Sequence, residues 1–160
     1  MELIRNERVD DIPLILNQMK KISLDEIIDQ HFKAHGNWKG LSIGNLAVGW
    51  IAYIVSEGDH RLSRVEDWAE GSLETLQASL HPGVRSLDFS DDHLAQVLDH
   101  LSNDVAWEDC DGQIAGKIIR VYDLRQERVR IDSTTVSGHW EEGELFAFGK
   151  SKDNRLDLVS

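Results

Sequence analysis

The sequence predicts a mainly α protein, with a helical N-terminal domain over residues 1–124 and a β-hairpin within residues 125–160. Three observations predict it. Apolar residues recur at three- and four-residue spacing through most of the first 120 positions, which gathers them on one face of successive helices. Capping residues and breakers punctuate these stripes at Ser23, Ser42, Gly58, His81-Pro-Gly83 and Ser90. Beyond Leu124 the period changes to alternation, the pattern of a strand.

Ile12, Ile15, Leu16 and Met19 form the first stripe, with Pro13 tolerated in a first turn where its missing N–H has no intrahelical partner. Ser23 is expected to cap the second helix in a box with Glu26. Leu24, Ile27, Ile28, His31 and Phe32 supply that helix's apolar face, and His35 to Gly40 reads as a loop. Ser42 opens a third helix through Leu46, Val48, Trp50, Ile51, Ile54 and Val55. It is apolar almost all round and is therefore expected at the centre of the core. Gly58-Asp-His60 stops it. Leu62, Val65, Trp68 and Ala69 begin another helix, which Leu73, Leu76 and Leu80 continue past Gly71.

After the break at His81-Pro-Gly83, Ser90 with Asp91 and Asp92 starts a helix carrying Leu94, Val97, Leu98 and Leu101. Ser102-Asn-Asp104 ends or bends it, and Ile114, Ile118, Ile119, Val121 and Tyr122 mark a last helix. Arg128-Val-Arg-Ile-Asp132 then alternates and runs into the β-branched Thr134-Thr-Val136. Gly138 to Gly143 is a turn region, and Glu144-Leu-Phe-Ala-Phe148 is the second strand of the hairpin. A lone hairpin is marginal in water, so this region reads as a second domain that stops after two strands. No internal repeat or low-complexity stretch interrupts the order.

A chain of 160 residues can bury a real core, and 41% hydrophobic with 29% charged residues is ordinary for a globular protein. No apolar run approaches the ~20 residues of a membrane span; the best, Leu46 to Val55, contains Gly49. The first residues, Met1 to Arg8, lack the apolar stretch of a signal peptide. The single cysteine, Cys110, excludes an internal disulfide. A cytoplasmic protein without a membrane partner is expected. The net charge of −12 sits mostly in residues 1–120, with 11 basic and 21 acidic side chains, against 6 and 8 in residues 121–160. DNA is gripped through phosphate neutralisation by Lys and Arg, so the first region is a poor overall match for it, although a local basic face is compatible with the count.

Asp132 is the most informative candidate for chemistry. It follows the strand pattern Val129-Arg-Ile131 and precedes Ser133, Thr134 and Thr135. A carboxylate inside a central strand is desolvated at a cost unless something pairs with it, and a divalent cation does so. Spacing alone equally accommodates a solvated edge-strand aspartate or a turn cap, which is the simpler reading. Other constellations are weaker. The seven histidines are scattered; His93 and His100, seven apart, share a helix face and read as a half-buried stripe. Cys110 lies among Glu108, Asp109 and Asp111, a setting that raises a thiol pKa and disfavours a nucleophile. No glycine loop has phosphate-cradling spacing. Of the five tryptophans, Trp50 and Trp68 fall on apolar faces and read as core rather than base-stacking platforms. The helices flanking Gly58-Asp-His60 have the length of a helix-turn-helix. Arg61 and Arg64, however, are followed by Glu66, Asp67, Glu70 and Glu74, which repel phosphates and favour a purely structural hairpin.

Val129-Arg-Ile-Asp-Ser-Thr-Thr-Val-Ser137, followed by Phe146-Ala-Phe-Gly-Lys-Ser-Lys-Asp-Asn-Arg-Leu-Asp-Leu158, resembles a paired motif of bacterial DDE-type insertion-sequence transposases. Upstream, Arg61-Leu-Ser-Arg-Val-Glu-Asp-Trp68 and Asp91 to Leu101 resemble their helical N-terminal domain. The resemblance implies that the hairpin supplies the first two strands of a ribonuclease-H-like core whose three carboxylates bind two Mg²⁺ ions. It implies that Asp132 is the first catalytic and metal-ligating aspartate, with the second aspartate and the glutamate beyond Ser160. It also assigns Lys152, Asp153, Arg155 and Asp157 to a structural or DNA-facing motif. Leu156 stands where the family has proline, and Val159-Ser160 replaces its usual continuation. The expectation is therefore a truncated transposase, inactive and metal-free alone. Its partners would be transposon-end DNA in the complete enzyme, a full-length transposase, or a second copy of itself. The alternative is a protein-interaction domain that binds or regulates such a partner.

Overall fold

The computed structural model describes residues 6–34, 36 and 38–125. The chain divides into two units between Leu124 and Arg125, and the described part of the first is mainly helical. In order it contains α1 (Ile12–Lys21), α2 (Leu24–His31), α3 (Ile43–Glu57), a 3₁₀ turn (Leu62–Arg64), α4 (Val65–Gly71), α5 (Leu73–Ser79), a second 3₁₀ turn (Ser86–Phe89), α6 (Asp91–Leu101) and α7 (Asp104–Val121). There is no strand among the described residues; the hairpin expected between Arg128 and Phe148 lies outside them.

α3 is the central helix, as its apolar circumference predicts. Ile43, Leu46, Ala47, Val48, Ala52 and Tyr53 are all buried, and α1, α2, α4, α6 and the second 3₁₀ turn all pack against it. Ser42 caps it: its hydroxyl accepts from the amide of Asn45 at 3.2 Å and from the Asn45 side chain at 2.8 Å. Gly58 ends it in the left-handed region at φ 61°, a conformation open to glycine at no steric cost.

Two glycines bring the neighbours of α3 close. A Cβ on Gly44 would lie 2.1 Å from the Asp25 carbonyl oxygen, so α2 crosses here at backbone contact. The Gly44 amide donates to the Asp29 carboxylate at 2.7 Å, satisfying one orphan donor of the helix start. One turn further along, a Cβ on Gly49 would lie 2.6 Å from the ring of fully buried Phe89. Next to Phe89, Asp88 is only 1% exposed. Its carboxylate accepts from the Arg85 amide at 2.9 Å and from the Arg85 guanidinium at 2.5 Å, so the buried charge is paired and hydrogen-bonded.

Three sequence expectations need correction. Ser23 stands at the N-cap position of α2 but forms no capping box with Glu26; its φ is 53° and its side chain makes no cap bond. The link from α1 to α2 is too tight for the extended conformation that aims a capping hydroxyl at the third helical amide. The helix expected from Leu62 to Leu80 is broken at Ser72 into α4 and α5. The broken end is capped from far away: the Glu7 carboxylate accepts from the amides of Glu74 and Thr75 at 2.8 and 3.0 Å, and from the Thr75 hydroxyl at 3.1 Å. An anion at a helix N-terminus also meets the positive end of its dipole. Finally, α7 starts at Asp104, well ahead of Ile114, because the Asn103 side chain accepts from the Ala106 amide at 3.2 Å and starts a new helix where α6 ends.

In an ordinary helix interior Gly→Ala gains about 1 kcal/mol. At Gly49 the sign is expected to reverse, because displacing the Phe89 ring costs about 1–3 kcal/mol as overpacking. Urea unfolding of Gly49→Ala should show a lowered midpoint; an unchanged or raised one would mean that Phe89 has room to move aside.

Candidate functional site

The residues singled out by the sequence for chemistry, Asp132 with Lys152, Asp153, Arg155 and Asp157, lie outside the described residues, as does Trp140. Within the described domain, polar groups converge where α3 turns into α4. Tyr53, Glu57, Asp59, Arg61, Arg64, Asp67 and Trp68 line an open cleft of about 500 Å³. Gly58 reverses the chain and delivers Asp59 to its rim. The Asp59 carboxylate accepts from the Arg61 amide at 3.0 Å, and the Arg61 guanidinium forks onto it through Nε at 2.9 Å and a terminal nitrogen at 2.6 Å.

These bonds set the electrostatics of the turn. Arg61 holds the Asp59 carboxyl well below the usual carboxylate range, with a further contribution from the Tyr53 hydroxyl. Asp59 in turn raises the Arg61 pKa. The Tyr53 hydroxyl is pushed up, first by burial and then by its bond to Asp59. The Trp68 ring meets Tyr53 edge-on at 5.4 Å. The arrangement locks a turn. Arg61 is held by its own chain, and Glu57, Asp59 and Asp67 outnumber the two arginines of the cleft, so the phosphate-gripping use of a helix-turn-helix is disfavoured. The Asp59–Arg61 fork gives this helical hairpin a fixed turn.

His93 and His100 do share a face of α6, and what they face is Trp38. The His93 ring stacks on the indole at 5.5 Å with 9° between planes, and His100 meets it edge-on at 5.6 Å. The Trp38 indole donates to the Leu41 carbonyl at 2.7 Å, and His93 Nδ1 lies 3.3 Å from the Asp88 carbonyl. The pair pins the loop before α3 onto α6. Trp38, Trp50, Trp68 and Trp107 all pack against the core, and the indole nitrogens of Trp50 and Trp68 are buried with no hydrogen-bond partner among the described residues. These four rings serve in packing. Cys110 is fully buried, and its thiol is raised by desolvation first and by Asp111 second. Among the described residues no group of three or more His, Cys, Asp or Glu could hold a metal ion.

Sequence reading found the His93/His100 face but not its partner, which lies in a separate loop. It also missed the Asp59–Arg61 lock, for which the two-residue spacing after a helix-ending glycine was the available signal. Removing the fork should expose its effect directly. In Arg61→Ala the Asp59 carboxyl is expected to titrate back towards the ordinary value of about 3.9, followed by carbon-detected NMR. An Asp59 that still ionises far below that value would show that the backbone amide and Tyr53 suffice.

No helix among the described residues is long and apolar enough to cross a membrane. No curated protein and no solved structure matches the chain. A family model described as a domain of unknown function, DUF4277, matches residues 4–107. That match covers α1 through the first turn of α7, including the Asp59–Arg61 turn and the Trp38 clamp, and places the chain in the DUF4277 family.

Proposed function

We propose that the chain is part of a DDE-type insertion-sequence transposase, with residues 1–124 as a protein-facing helical domain and Asp132 as the first carboxylate of the catalytic centre. The observation that carries this reading is the paired motif: Asp132 on a strand pattern before a hydroxyl cluster, then Lys152, Asp153, Arg155 and Asp157 a short way downstream. Two Mg²⁺ ions about 4 Å apart would catalyse in-line phosphoryl transfer on transposon-end DNA. Asp132 would supply one ligand of that centre. One carboxylate holds neither ion pair nor geometry, so residues 1–160 alone should be inert and the remaining ligands must come from further sequence or another chain.

A second reading is favoured by a specific observation, the acidity of the helical region and the engagement of three of its arginines. Arg8, Arg61 and Arg85 are each paired with a carboxylate of the chain. Such a surface suits a basic protein better than naked DNA, so the domain would bind or regulate a full-length transposase.

Strand cleavage and joining on the cognate element ends, with Mg²⁺, tests the first reading. Residues 1–160 alone should give no product. A supplied C-terminal catalytic half should restore it, and Asp132→Ala should abolish the restored activity by several orders of magnitude. Product from residues 1–160 alone, or full rescue by Asp132→Ala, would sink the assignment of Asp132.

A further inference from the structure

α7 has 18 residues and buries only one of them, Cys110. At 1.5 Å per residue it is roughly 27 Å long. One face packs on α2, where Trp107 meets Phe32 at 5.0 Å and Ile114 adds to the core. The opposite face carries Val105, Glu108, Gly112, Ala115 and Ile119, at alternating spacings of three and four. That is heptad spacing, the register in which one helix lies along another, here occupied mostly by small or polar residues. Val105 is 78% exposed, and Glu108, Gly112 and Ala115 are exposed.

The glycines are the unexplained part. Gly112 and Gly116 stand in the interior of the helix, where each lowers helix stability by about 1 kcal/mol relative to alanine. Among the described residues nothing lies within 4 Å of a Cβ placed on either. Gly44 and Gly49 have contacts that exclude a side chain; the described residues give these two none. A second helix backbone approaching this face would give them a reason.

Charge identifies that second helix. The first half of α7 carries Asp104, Glu108, Asp109 and Asp111, and the second half carries Lys117 and Arg120. Arg120 curls back so that its Nε donates to the Gly116 carbonyl at 3.1 Å, which holds the guanidinium beside the glycine. We infer that α7 is a self-association helix, pairing antiparallel with α7 of a second copy of this chain about a twofold axis close to Ile114. Gly112 of one copy then lies against Ala115 of the other. Asp109 lies level with Ile118 and Ile119 of the second copy, next to that copy's Arg120, and the symmetry repeats the contact. A parallel pair would set acid against acid. A single helix pair is a small interface, so the dimer depends on concentration. The inference rests on this helix alone and stands whether or not the catalytic reading holds.

Sedimentation velocity on the whole 160-residue chain over a wide concentration range tests it. A monomer–dimer equilibrium is expected. Gly112→Leu should leave the monomer's helicity by circular dichroism intact, since the site is open among the described residues, and should abolish the dimer. Asp109→Arg and Arg120→Asp should each weaken the dimer about tenfold, and combining them should restore it. A monomer at every concentration, or a dimer indifferent to Gly112→Leu, would overturn the proposal. Failure of the double reversal to restore association would overturn the antiparallel arrangement.

Discussion

The described fold depends on how closely other elements approach α3. At Gly44 the α2 backbone occupies the space a side chain would need, and the same residue offers its amide to Asp29. Room and hydrogen bond come from one position. At Gly49 the missing side chain admits the Phe89 ring, whose burial is worth roughly 1.5–3 kcal/mol. Phe89 fixes the 3₁₀ turn, and the turn carries Asp88 inside the protein. The Asp88 carbonyl lies against His93, and His93 stacks on Trp38. A notch in one helix thus determines where a loop some ten residues upstream of it is held.

The acidic composition acquires a different meaning in this frame. Several carboxylates are not simply a solvated coat. Glu7 caps α5, Asp29 accepts from the start of α3, and Asp11 accepts from the Ser56 hydroxyl at 2.6 Å, joining the start of α1 to the end of α3. Asp59 and Asp88 each hold an arginine and the backbone amide of that same arginine. Short helices have many ends for their length, and every helix start leaves amides without intrahelical partners. A domain built from such pieces needs acceptors, and aspartate and glutamate supply them with favourable charge. The arginines caught in these arrangements are withdrawn from any role at a phosphate.

What was legible in the sequence is what neighbouring residues decide. Ser42 and Gly58 delimit α3 from within five residues of its ends, and the apolar circumference of α3 announces its burial. The failures have different causes, and in one of them the deciding partner is distant. The break at Ser72 is stabilised by Glu7, which lies 67 and 68 residues before the two amides it caps. The capping box at Ser23 looks sound locally and is overridden by the tight connection to α1. The early start of α7 was readable from Asn103, but Ile114 and its neighbours are the only strong apolar stripe in that helix, and the stripe drew the boundary. The candidate site divides in the same way. His93 and His100 declare a shared face through their spacing, while Trp38 enters only through the fold.

Glycine chemistry separates the two kinds of information most cleanly. Gly44 and Gly49 look in the sequence like weak points of an apolar helix, and the fold turns both into contacts that only glycine permits. Gly112 and Gly116 have the same local signature, and the described residues give them no such contact. The exposure of Gly112 also differs in kind from that of a surface alanine, because glycine in a solvated helix both frees the unfolded chain and exposes backbone to water. An isolated α7 would be a poor helix for that reason, with Cys110 as its single fully buried residue. The charge divided between its two ends sharpens the point: within one chain it places acids and bases along the same helix, too far apart to pair by turns of three or four residues. Between two antiparallel copies the same distribution becomes complementary. The feature least explained by the described residues is therefore the one to which a second copy would give a reason.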